Sequence, residues 1–187
     1  MKNLELVPEL LERSVKEIFK VTLSTDANLL DSTSFAIPKE SYFLLSTLGF
    51  SGDLVGEFSI CLSLDSGCQI VGKMLGMDLE DSSEDVVDGT GELMNMIGGN
   101  FRMKAFDVGI GIDIGIPTTL RCRDMHRSEK SNDLIHLSQV YDFDGGSIQV
   151  ESTYRVGSKK EGGEEKSEEY SVSEDASDLL NRLLGDK

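Results

Sequence analysis

Glu92 and Asn95 stand three residues apart in the stretch DVVDGTGELMNMIGGNFRMKA, residues 85–105. Its apolar period marks a helix. Glycine inside a helix costs about 1 kcal/mol relative to alanine, and an Asn amide competes for backbone hydrogen bonds, so Asn95 and the Gly98-Gly99 pair call for another reason. At about 100° per residue, Asp88, Glu92, Asn95 and Gly99 share a narrow arc, while Val86, Leu93, Ile97 and Phe101 lie opposite as the core side. The polar arc therefore faces outward. Met96 and Met103 flank it as adaptable apolar surface for a partner, and Gly98 and Gly99 leave part of the face without side-chain bulk. Close packing inside the protein is the competing reason for the two glycines.

A carboxylate and a carboxamide at i and i+3 do not make a nucleophile and base. An exposed Asn can orient a water molecule through its amide, as a Gln does in GTPases, and an exposed Glu can pair with a lysine on a partner. No GxxxxGK[ST] loop and no basic cluster accompanies the helix, so the partner would have to complete any chemistry on a phosphoryl group. His126 and His136 lack ligand spacing to each other or to a cysteine, which removes support for a zinc site or a His-based triad. His136 falls in a strand pattern, where a satisfied structural histidine is expected.

The elements that must carry this helix follow from periodicity and punctuation. Residues 8–20 form a first helix, with Pro8 in its first turn and Leu11, Val15, Ile18 and Phe19 at helical spacing. Residues 26–38 are polar and Ser/Thr-rich, a loop with some extended structure. SYFLLSTLGFSGDLVGEFSICLSL is a hairpin turning at Ser51-Gly52-Asp53. DSGCQIVGKMLGM is a short helix capped by Asp65 or Ser66 and ended by Gly76. An acidic linker then leads to the long helix, capped by Ser82 or Ser83. IGIDIGIPTTLRC, LIHLSQVYDF and SIQVESTYRV are strands, the last two joined by Asp144-Gly145-Gly146. The expected fold is α+β, a mainly antiparallel sheet with helices packed on it and a degenerate pseudo-two-fold repeat.

Residues 1–156 read as one domain. Residues 157–187 read as a charged flexible linker followed by a short amphipathic helix over residues 173–184, with Leu179, Leu180, Leu183 and Leu184 at helical spacing. So short a helix is marginal in water, so its leucines need a dock, and a partner protein is the expectation. The 187 residues carry a net charge of −16, which argues against nucleic acid and anionic membrane as partners. The N-terminal MKNLELVPELLERS lacks a signal peptide's apolar region, no run reaches the length of a membrane span, and Cys61, Cys68 and Cys122 form no CxxC pair. A reducing cytoplasm is the expected setting.

Asp88-x3-Glu92-x2-Asn95, followed by MIGGN and Pro117, resembles the signature helix of the CheC/CheX/FliY chemotaxis phosphatases. The upstream LGFSGDLVGEFSICLSLDSGCQIVGKMLGM is similar to that family too, and the resemblance spans residues 41–144. It implies a phosphatase acting on phosphorylated CheY or a CheY-like response regulator. Glu92 would bridge to the receiver's lysine, and Asn95 would enter its active site and orient the attacking water. The receiver would supply the phospho-aspartate and the Mg2+, and this chain would bind no cofactor of its own. Two-site members carry a second ExxN on the first helix; here PELLERSVKEIFK contains none, so the chain resembles the single-site CheX branch, for which a homodimer joined through its sheets is expected. A non-catalytic adaptor that binds a receiver or another signalling protein stays open beside the enzyme, as does a flagellar switch component, although the latter usually carries an additional domain.

Overall fold

Leu44, Ser46, Leu48 and Phe50 alternate along one side of the first long strand, and Phe58, Ile60 and Leu62 along one side of the next; all are buried. This period of two sets one face of a sheet against the helices. In the computed structural model, which describes residues 4–30, 42–80, 83–123 and 133–157, these strands are β2 (Phe43–Gly52) and β3 (Leu54–Ser63), paired antiparallel. They turn at Gly52-Asp53 as the sequence predicts, with Gly52 at φ 126°, a backbone state open to glycine.

The other strands are β1 (Asn28–Leu29), β4 (Ile112–Ile114), β5 (Thr118–Cys122), β6 (Ile135–Phe143) and β7 (Gly146–Val156). Among the described residues one seven-stranded sheet runs β1-β6-β7-β3-β2-β4, with β5 also on β2, and every pairing is antiparallel. Hairpin β2–β3 lies against hairpin β6–β7 through β3 and β7. Each half sends its leading strand to the other's outer edge: β1 joins β6, and β4 and β5 join β2. That exchange is the pseudo-two-fold repeat expected from the order of elements.

Among the described residues three α-helices cover this face of the sheet. The first, α1 (Val7–Leu23), follows a 3-10 turn at Leu4–Leu6 and runs beyond the predicted residue 20 because Leu23 also reaches the core. Phe19 meets Phe143 of β6 edge-on at 5.3 Å. Tyr141 donates to Gln139 Oε1 (2.8 Å), and Gln139 Nε2 donates to the Pro8 carbonyl (3.1 Å), so a buried polar relay ties β6 to the start of α1. The second helix, α2 (Leu64–Leu75), ends at left-handed Gly76 as predicted, but its cap is Ser63 rather than Asp65 or Ser66: Ser63 Oγ accepts from the Ser66 amide at 3.1 Å. The long α3 (Glu84–Asp107) is capped by Ser83, whose hydroxyl accepts from the Asp85 amide.

The segment IGIDIGIPTTLRC is two strands rather than one. Residues 50 and 47 of β2 pair with 114 and 118, so Gly115, Ile116 and Pro117 stand opposite only Leu48 and Gly49. This three-against-two mismatch is a bulge. Pro117 has no amide to donate to a ladder, while Gly115 keeps the edge attached by donating to the Gly49 carbonyl at 2.8 Å. His136 is half-buried and shares a hydrogen bond with Thr153 Oγ1 at 2.9 Å, the structural role expected of it. The predicted linker and C-terminal helix lie outside the described residues.

Candidate functional site

The core side of α3 holds Val86, Leu93, Met94, Ile97, Phe101 and Ala105, all fully buried. Phe101 stacks edge-on against Phe58 at 4.9 Å, and Phe58 lies 4.5 Å from Phe50, so an aromatic chain runs from β2 through β3 to the helix. Three glycines let α3 sit close to its neighbours. A Cβ on Gly89 would run into Val71 of α2, one on Gly98 into Leu48 of β2, and one on Gly91 would come within 3.0 Å of Thr119 Oγ1 on β5. Thr119 donates in turn to buried Ser46 Oγ at 2.9 Å. Further along, Arg102 Nε donates to the Ile112 carbonyl on β4 at 3.1 Å. The helix is thereby held against the edge of the sheet at both ends of its middle section.

This packing leaves Asp88, Glu92 and Asn95 exposed along one side of α3, the outward arc the spacing predicts. Glu92 and Asn95 are about 4.5 Å apart along the helix axis at 1.5 Å per residue. With Asp88 they line a hollow of about 420 Å³ whose opposite wall is the bulge, Gly115, Ile116 and Pro117, with Thr119 at its floor side. Ile116 is 90 % exposed beside the carboxamide. Among the described residues two carboxylates, one carboxamide and one hydroxyl make up the polar lining, which offers hydrogen-bond acceptors and an orienting amide but no positive charge.

The remaining predicted residues divide. Gly99 is open: nothing lies within 4 Å of where its Cβ would stand. Met103 is 62 % exposed but borders a second hollow further along the helix. Met96 is half-buried and turned toward α1, its sulfur 3.9 Å from Thr22 Oγ1, so it offers less surface than expected. Gly98 is buried under Leu48, and its lack of a side chain serves internal packing rather than an outer face. Periodicity missed Val87, Gly91, Thr119 and Ile116 as lining. The Gly-Ile-Pro break inside a strand pattern was the available signal for the bulge.

The pseudo-equivalent helix α1 carries no matching pair, and two of its three carboxylates are engaged: Glu12 with Lys16 at 2.6 Å, and Glu17 with Lys104 of α3. Lys104, and then Asn100, hold the Glu17 carboxyl below the usual carboxylate range. Among the described residues no helix is long and apolar enough to cross a membrane.

The model of a family described as chemotaxis phosphatase CheX matches residues 44–138. The CheY-P phosphatase CheX of Thermotoga maritima is 30 % identical over 83 residues, which cover 44 % of this chain and 54 % of that protein. The matched region thus spans about half the length of that curated relative. Among solved structures, a chemotaxis protein CheX from Vibrio vulnificus superposes with a TM-score of 0.67 at 18 % identity, covering 80 % of this chain and 96 % of that one. A CheX–CheY–BeF3–Mg2+ complex from Borrelia burgdorferi gives 0.66 at 18 % identity, covering 79 % and 96 %. At such identities the likeness concerns the fold.

Proposed function

The chain belongs to the CheX family of chemotaxis phosphatases, and from that premise we propose that it accelerates hydrolysis of the aspartyl phosphate on a CheY-like response regulator in the cytoplasm. The observation that carries the reading is the shared hollow. Glu92 and Asn95 project from one exposed helix face into a space open to a partner, walled by an outward bulge. In-line attack on a phosphoryl group needs a positioned water and charge neutralisation. Among the described residues the lining supplies only the first. Asn95 holds the water by its amide, Glu92 pairs with a lysine of the receiver, and the receiver brings the phospho-aspartate and Mg2+. The CheX–CheY–BeF3–Mg2+ complex contains a partner and a metal of the kind this division of labour requires.

A homodimer joined through the sheet completes the proposal. Among the described residues the helices lie on the even face of β2 and β3, while Leu45, Leu120 and Cys122 lie on the opposite face, in register across β2 and β5.

The test is phosphate release from a set of purified, phosphorylated receiver domains, with and without the full chain. Faster release from at least one receiver supports the reading. Binding to a receiver with no change in its dephosphorylation rate would mean an adaptor instead.

A further inference from the structure

Beyond the hollow at Asn95, α3 and the sheet edge part again. Met103 and Phe106, 62 % and 73 % exposed, face Gly111 and Ile112 across a space of about 610 Å³. Large apolar side chains so exposed on adjoining turns mark an interaction surface. Arg102 at its rim, also exposed, is the one cation among the described residues lining it, with its guanidinium 3.6 Å from Asp113.

The described residues stop beside this groove. The Gly157 amide donates to the Asp53 carbonyl at 2.8 Å, and the Asp53 amide donates to the Gly111 carbonyl at 2.8 Å. Asp53 Oδ2 accepts from the Gly111 amide at 2.8 Å. One residue therefore separates the departure point of the chain from the groove wall. Residues 158–187 follow, including the leucine-bearing segment at 173–184. The linker, residues 158–172, reaches about 20 Å on average as a flexible coil, ample for so close a target, and tethering raises the local concentration of the segment to roughly millimolar.

We infer that residues 173–184 dock in the Met103–Phe106 groove of their own chain. Leu179, Leu180, Leu183 and Leu184 supply the apolar face of a helix laid in a groove, and Met103 and Phe106 supply the apolar wall it would cover. Sequence alone favours a partner protein as the dock; the position of Gly157 favours this chain's own groove. The proposal stands apart from the phosphatase reading, and its test needs no receiver.

The test uses the full chain with methyl-labelled methionine. Replacing Leu180 and Leu183 together by Glu should shift the Met103 methyl resonance and leave that of Met94, fully buried in the core, in place. The difference should persist through a wide dilution series. An unmoved Met103 resonance overturns the proposal. A difference that disappears on dilution also overturns it, since the occupant is then a second copy. If Met94 moves as well, the reciprocal variant Phe106→Ser decides. Collapse of the tail leucine methyl resonances to random-coil positions supports docking, and unchanged dispersion overturns it.

Discussion

Gly98 and Gly99 are neighbours in the chain with opposite duties. A Cβ at Gly98 would run into Leu48 on β2, whereas one at Gly99 would meet nothing within 4 Å. One glycine lets the helix approach the sheet, and the other bares the helix to whatever approaches from outside. Their substitutions should therefore separate stability from binding.

Gly99→Leu should leave the fold intact or add up to about 1 kcal/mol through helix propensity, while its bulk blocks the receiver. Gly98→Leu should cost about 2–3 kcal/mol through overpacking against Leu48. Urea unfolding and receiver titration, run on both variants, check this. A large stability loss for Gly99→Leu with binding unchanged would place that glycine in the core instead.

Asn95→Ala should lower catalysed phosphate release by about a hundredfold or more, because an orienting amide acts in the transition state, and should leave receiver affinity nearly unchanged. Glu92→Ala should weaken affinity by roughly tenfold as well as slow turnover, since a charged anchor is lost. Single-turnover dephosphorylation and equilibrium binding separate the two. Wild-type turnover in Asn95→Ala would sink the assigned mechanism.

Phe101→Ala should destabilise the domain by about 3–5 kcal/mol, a large part of the total stability of a domain this size. It removes the ring that joins α3 to Phe58 at 4.9 Å. Activity should fall only as folded protein is lost, so activity per folded molecule, read beside calorimetry, is the check. A fully folded variant would show that the aromatic chain does not anchor the helix.

Burial pushes the Cys61 thiol up to about 12, with Glu151 and Cys122 adding to the effect. An unfolded thiol ionises near 8.5. The protonated folded thiol therefore contributes stability that is complete below that pH and is lost as pH rises toward 12. Urea midpoints measured across this window should fall more steeply for the native protein than for Cys61→Val. Parallel slopes would contradict the buried, protonated state of Cys61.

The periodic segments were legible because their cause is local. The 3.6-residue period of α3 identified both the buried Val86, Leu93, Ile97 and Phe101 and the exposed Asp88, Glu92 and Asn95, since one helix repeat dictates both faces. Gly/Asp turn chemistry likewise located both hairpins. Three things needed the tertiary structure. Gly98 and Gly99 are the same residue type in one helix, and only the position of Leu48 tells them apart. The strand drawn through IGIDIGIPTTLRC breaks because β2 pairs with it in two registers one residue out of step, and a register belongs to a pair of strands rather than to either sequence. The hollow itself is made by that bulge meeting α3 across segments distant in the chain. The candidate residues Glu92 and Asn95 were therefore readable from one helix, while the hollow they line exists only where the helix and the sheet edge come together.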